Sequence, residues 1–234
     1  MIQAVRDALR QCANPSDAAN LRRFFKTGPG EYGEGDRFIG VRVPDTRKIA
    51  RTFRELPLAD TQILLESDIH EERLLALIIL TDKYRRGTAD EQMQIYKLYV
   101  TNTQHINNWD LVDTSAEHIV GAYLRDKSRK PLYKLARSAS LWERRISIMA
   151  TFHFIKKDEL NETLKVAEMH IADYEDLIHK AVGWMLREVG KRDRQVEEAF
   201  LRKHYPGMPR TMLRYAIEKF PEDLRQRYLQ GMIT

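Results

Sequence analysis

The chain has 234 residues, 43% of them hydrophobic and 31% charged, which excludes a disordered chain and allows a core that is stable without staples. Cys12 is the only cysteine, so no internal disulfide and no cysteine-built zinc site is available, and a reducing, cytoplasmic setting is expected. The net charge of +5 fits a polyanionic partner as well as an ordinary solvated basic face.

In chain order, the first residues, MIQAVRDALRQ, hold Arg6 and Asp7 where a secretory leader needs an apolar run. A helical stretch over 18–26 leads into Gly28-Pro29-Gly30-Glu31-Tyr32-Gly33, which matches the letters of a dinucleotide-binding fingerprint. That fingerprint must follow a strand and open a helix. Here a helix precedes it, and Gly35, Gly40 and Pro44 interrupt the residues after it. Residues 27–43 are therefore expected to form one mobile loop, whose glycines lower the cost of irregular, exposed backbone. Residues 58–72 carry five carboxylates and no base, and the longest apolar run, 74–80, is too short to cross a bilayer. No membrane contact is expected.

Helical spacing dominates the rest. Leu74, Leu77, Ile78 and Thr81 follow i, i+3, i+4, i+7, as do Val112, Ser115, Ala116, Ile119 and Tyr123, and later Ile178, Ala181, Val182, Met185 and Val189. No segment alternates long enough to predict a strand. Gly87, Pro131, Pro206, Pro209 and Pro221 break the periodic segments. Helices are expected to open near Glu72, Trp109, Trp142, Leu177 and Pro209, about 32 to 37 residues apart, a period within reach of helix-pair repeats. The fold class expected is all-α: a HEAT-like helical-repeat solenoid with a concave basic face, forming a single domain over 1–234. An irregular helical bundle is the alternative.

The basic face is expected from residues 125–157, where ten Lys or Arg face only Asp126 and Glu143. Such density is the electrostatic footprint of a nucleic acid, or a solvated surface. The seven histidines show no metal-ligand spacing, and Ser115, Ser140 and Ser147 lack a glycine elbow. No metal and no cofactor is expected.

Three helices carry unusual side chains off their apolar stripes. Trp109 and Asp113 are four residues apart and share a face. Trp184 lies about 120° from the stripe of its helix, on the polar side with Lys180 and Arg187. Arg145, beside Arg144, borders positions that are apolar almost all round. Each has an ordinary explanation: the indoles can pack between repeats, and Asp113 and Arg145 can serve as ion-pair partners. Taken together, two indoles, a carboxylate and an arginine from three repeats can also converge on one surface.

The segments FFKTGPGEYGEGDRFIGVRVPDTRK (24–48), NNWDLVD (107–113), LWERRISIM (141–149) and KAVGWMLREVGK (180–191) resemble, in order, the DNA alkylation repair family, the HEAT-like, AlkD-like DNA glycosylases. The similarity spans 19–215. It implies excision of N7-methylguanine and N3-methyladenine, both cationic, by hydrolysis of the N-glycosidic bond in double-stranded DNA. It further implies that Trp109, Asp113, Arg145 and Trp184 are the family's site residues, in a solenoid that wraps the duplex and works from the backbone side; the chain is expected to act as a monomer. One position departs: Phe24 stands where the typifying member carries a tyrosine, so this helix offers no hydroxyl.

The residue types suit that chemistry. A methylated purine is already cationic and leaves neutral without a general acid, so the problem is the positive charge growing on the sugar. A carboxylate aimed at it, Asp113, stabilises the transition state more than the ground state. Indole faces such as those of Trp109 and Trp184 attract cations, and Arg145 would hold a phosphate, with Arg144, Lys180 and Arg187 as further DNA-binding bases. The rival readings are a non-catalytic DNA- or protein-binding module and an RNA-binding repeat. Asp113 argues against both, since a pure binder gains nothing from a carboxylate among phosphate ligands.

Overall fold

A computed structural model of the chain describes residues 1–233. Packing divides the chain into two compact units, Met1–Ile119 and Val120–Thr234.

The first unit contains α1 (Ile2–Gln11), α2 (Pro15–Phe24), α3 (Val43–Thr52), α4 (Leu58–Leu65), α5 (His70–Arg86), α6 (Ala89–Thr101) and α7 (Trp109–Ala116). Local chemistry sets their ends. Asn14 caps α2 by accepting from the amides of Ser16 and Asp17, with Pro15 at the first helical position. Thr88 and Glu91 close a reciprocal capping box on α6. The apolar stripe expected on α5 proves to be buried on all sides from His70 to Leu80 apart from half-buried Ile78, because α1, α3, α4, α6 and α7 all pack against this helix. Leu74, Leu75, Leu77, Ile79 and Leu80 are all buried, each contributing roughly 1.5–3 kcal/mol.

The second unit contains α8 (Ala122–Leu124), α9 (Lys130–Ala136), α10 (Leu141–Ala150), α11 (Phe152–Ile155), α12 (Asn161–Met169), α13 (Asp176–Arg192), α14 (Arg194–His204), α15 (Arg210–Ala216) and α16 (Glu222–Gln230). Ser140 and Asp193 cap α10 and α14 through their side-chain oxygens. The axis of this unit is α13, which packs against α10, α12, α14 and α15. Its stripe of Ile178, Val182, Met185 and Val189 is fully buried. A Cβ at Gly183 would stand 2.4 Å from the Met212 carbonyl oxygen, so only glycine lets α15 approach so closely.

The helices expected near Glu72, Trp109, Trp142, Leu177 and Pro209 are α5, α7, α10, α13 and α15, each opening within two residues of the expected place. Within each unit these are the helices that stack, α5 on α7 and α10 on α13 on α15, as helix-pair repeats require. Among the described residues there is no strand, only one isolated bridge between Arg37 and Ile69. Among the described residues no helix is long and apolar enough to cross a membrane.

Residues 25–42 are irregular, as expected, but firmly tethered. The buried Glu71 carboxylate accepts the amides of Ile39 (3.1 Å), Gly40 (2.8 Å) and Val41 (3.2 Å), while Phe38 and Val41 enter the core. Gly40 has a left-handed φ of 85°, and a Cβ there would meet the Asn14 carbonyl oxygen at 2.0 Å. The acidic stretch 58–72 thus ends in carboxylates turned inward: Glu71 binds the loop, and Glu72 pairs with Arg6 of α1 at 3.1 Å.

Candidate active site and nucleic-acid interface

The start of α7 is the most elaborately supported helix end in the first unit. Asn108 caps it by accepting the amide of Trp109 at 2.8 Å. The half-buried indole of Trp109 stacks on Phe25 with ring centroids 5.1 Å apart. Phe24, 64% exposed, meets it edge-on at 5.8 Å. Its Nε1 donates to the hydroxyl of Tyr32 at 3.3 Å. A tyrosine hydroxyl therefore does stand at Trp109, although it comes from the loop and not from the helix that ends in Phe24. Asp113 follows one turn later on α7 and is also half-buried. Burial pushes the neighbouring Tyr99 hydroxyl up, with the charge of Asp113 adding to the effect.

Beneath these residues lies a buried polar network. His70, at the first position of α5, has Nδ1 2.7 Å from Asp36 Oδ2 and Nε2 2.8 Å from Asp110 Oδ2. Its ring lies against Phe38 at 4.4 Å and Phe25 at 5.1 Å. Asp36 also accepts from Arg73 at 2.6 Å and from Asn108 at 3.2 Å. Burial opposes the charge on His70, but the hydrogen bonds and charges of Asp110 and Asp36 outweigh it and push its pKa up to about 9. Burial likewise works against the Asp36 carboxylate, and His70 and Arg73 nevertheless hold it below its ordinary range. Sequence reasoning missed this network. Its one visible trace is His-Glu-Glu-Arg directly before an apolar run, four polar side chains that all prove buried.

The amides of Gly28 and Gly30 donate to the carboxylates of Glu31 (2.8 Å) and Glu34 (2.9 Å).

In the second unit, Trp184 is half-buried on α13. Its Nε1 donates to Glu188 at 3.1 Å, and its ring lies 6.0 Å from that of Phe152. Lys180 pairs with Asp176 at 2.7 Å, and Arg187 with Glu218. The two arginines expected to hold DNA are placed differently. Arg144 is 7% exposed and grips Asp173 at 2.7 Å, as well as the carbonyls of Ser138 and Ala139. Arg145 is 5% exposed and donates to the Leu177 carbonyl at 2.5 Å. Neither guanidinium is presented at the surface of its unit; both tie α10 to the approach of α13. The basic run 125–157 is also partly balanced from outside its own span, since Arg125 and Arg129 both pair with Glu159.

A serine, a histidine and an aspartate do meet here. Ser147 Oγ lies 3.0 Å from His170 Nε2, and Asp173 is 3.7 Å from Nδ1. All three side chains are buried, so no substrate reaches the hydroxyl. Burial depresses the His170 pKa to about 4, leaving a neutral ring that joins α10 to the end of α12. Among the described residues no group of three His, Cys, Asp or Glu side chains could hold a metal ion.

Stacked helices without strands among the described residues, on a chain with excess positive charge, define an all-α helical-repeat protein. The family model for DNA alkylation repair enzymes matches residues 5–220. The chain belongs to the DNA alkylation repair enzyme family. It shares its fold with a structure described as a predicted DNA alkylation repair enzyme from Enterococcus faecalis, with 17% identity, a TM-score of 0.69, and coverage of 90% of this chain and 97% of that one. AlkD2 from Streptococcus mutans is similar at 15% identity and a TM-score of 0.56, over 88% of this chain and 97% of that one. The protein smu.31 from Streptococcus mutans UA159 matches equally well, over 88% and 98%. No curated protein matches in sequence.

Proposed function

We propose that the protein is a monomeric DNA glycosylase that removes positively charged alkylated purines, N7-methylguanine and N3-methyladenine, from double-stranded DNA. The observation that carries this reading is the half-buried Asp113 carboxylate one turn beyond the supported indole of Trp109. A partly desolvated carboxylate is poorly suited to binding phosphates and well suited to stabilising a sugar cation.

In the proposed reaction the bond from C1′ to the purine nitrogen breaks. Its electron pair moves into the cationic ring, and the base leaves neutral. The positive charge grows on the deoxyribose, where Asp113 stabilises it. Water then adds to C1′ and gives up a proton to Asp113, leaving an abasic site and free base. Trp109, beside Asp113, offers its face to the cationic nucleoside, and Trp184 is assigned a cation–π contact of its own with the DNA, roughly 0.5–2 kcal/mol each. Lys180 and Arg187, whose present partners are carboxylates on half-exposed or exposed residues, can exchange them for phosphates. We assign Arg144 and Arg145 to holding α13, and with it Trp184, in place.

The test is the release of free methylated base from alkylated duplex DNA, followed by mass spectrometry. The parent protein is expected to release N7-methylguanine. Asp113→Asn keeps the shape, removes the charge and is expected to lower the rate on the order of 100- to 1,000-fold, with DNA binding retained. Equal rates for the two proteins would refute the role of Asp113. Tight binding without release by the parent protein would establish a non-catalytic module instead.

A further inference from the structure

The His70 network serves no step of that reaction, yet it touches Phe25, which stacks on Trp109, and Asp110, and through Asp36 it reaches Asn108, the cap of α7. Carboxylate oxygens only accept hydrogen bonds. Both ring nitrogens of His70 lie within 2.8 Å of a carboxylate oxygen, so both must donate, and the ring must carry its second proton. Its faces lie against Phe38 and Phe25, which also favour a cation. The site works against a helix dipole, because His70 is the first residue of α5 and a positive charge is disfavoured at a helix N-terminus. Two carboxylates delivered from other elements overcome that. Asp36 comes from the loop and Asp110 from α7, next to Trp109.

We propose that His70 is a positioning residue: its imidazolium, shared between Asp36 and Asp110, clamps the loop and the start of α7 to α5 and so sets the aim of Trp109 and Asp113. The proposal deepens the glycosylase reading and rests on it for its consequence in catalysis. Asp36 carries the second strand of the clamp, since the oxygen that accepts from His70 also accepts from Asn108, the residue that caps α7. The same loop brings the Tyr32 hydroxyl to the indole Nε1. A neutral imidazole can donate from only one nitrogen, so loss of the proton breaks the bridge between the loop and α7 at one of its two ends.

The charged groups around the ring are few. The loop contributes Asp36, α7 contributes Asp110, and α5 itself contributes Arg73, which acts through Asp36. Glu71 and Glu72 on α5 are turned instead to the loop amides and to Arg6. The ring is expected to lose its proton near pH 9, and excision is expected to fall as pH rises through that value.

Two measurements test the clamp on the full chain. Nitrogen NMR of protein labelled in its histidine rings is expected to show both His70 nitrogens protonated at pH 7.5. One unprotonated nitrogen at that pH would overturn the proposal. Single-turnover excision is then followed against pH in the parent, His70→Gln and Asp110→Asn proteins. Asp110→Asn keeps an acceptor but removes a charge, so its alkaline limb is expected to move by about one pH unit toward acid. His70→Gln is expected to lose that limb and to run about tenfold slower, with DNA affinity and helix content unchanged. A merely structural role would lower stability and leave the limb of Asp110→Asn where the parent has it, and that result would also overturn the proposal. Asp110→Asn decides the matter if His70→Gln does not fold. A parent protein that releases no base defeats the glycosylase reading, and the NMR result then upholds or overturns the clamp alone.

Discussion

Replacing Glu71 by alanine tests how the loop is held. Its carboxylate accepts three consecutive backbone amides, and those of Gly40 and Val41 belong to buried residues. An amide left buried without a partner costs roughly 1–3 kcal/mol, so the two buried amides alone set a cost of about 2–6 kcal/mol. Water can relieve that cost only if the loop opens, which withdraws Phe38 and Val41 from the core at roughly 1.5–3 kcal/mol each. The two routes are comparable, and the expected loss is about 3–5 kcal/mol, a large share of the 5–15 kcal/mol of a typical domain. Urea denaturation measures it. Trypsin, which is expected to cut after Arg37 and Arg42 much faster in the variant, reports whether the loop has opened. Glu71→Gln, which keeps one acceptor oxygen without the charge, should lie between the two. A loss below about 1 kcal/mol, with the loop still resistant, would show that the amides find other partners and that the carboxylate does not tether the segment.

The second unit offers two further tests. Burial pushes the Glu197 pKa from 4.5 up to about 8, and its Oε1 has no hydrogen-bond partner. Folding thus favours the protonated form, so this group's contribution to stability is complete below about pH 4.5 and is lost as pH rises through about 8. Glu197→Gln should raise the melting temperature at pH 8 and flatten its dependence between pH 5 and 8. An unchanged pH dependence would refute the assignment. Trp184→Ala should lower excision by up to about tenfold, in line with the loss of one cation–π contact. That is less than the loss expected for Asp113→Asn. A larger loss, or one seen only in DNA affinity, would show that the indole acts otherwise.

The helices were legible because their signals are local. Apolar spacing at 3.6 residues, proline and glycine breakers and side-chain caps all act within a turn or two, and α5, α7, α10, α13 and α15 open where that spacing places them. The pairing of Trp109 with Asp113 is equally local, since a separation of four on one helix puts two side chains on one face. Position along the chain says much less about where charge ends. Arg144 and Arg145 are expected to hold DNA, but Arg144 is buried against Asp173, 29 residues away, and Arg145 against the Leu177 carbonyl, 32 away. Nothing in the sequence around His70 points to its partners, and only packing brings Asp36 and Asp110 to its two nitrogens, from 34 residues before it and 40 after. Local sequence was enough for the helices, their stacking period and the neighbours within a turn. Which charges are buried, and with whom, was decided by the folded chain, because desolvation and hydrogen bonding depend on distances through space that no local period encodes.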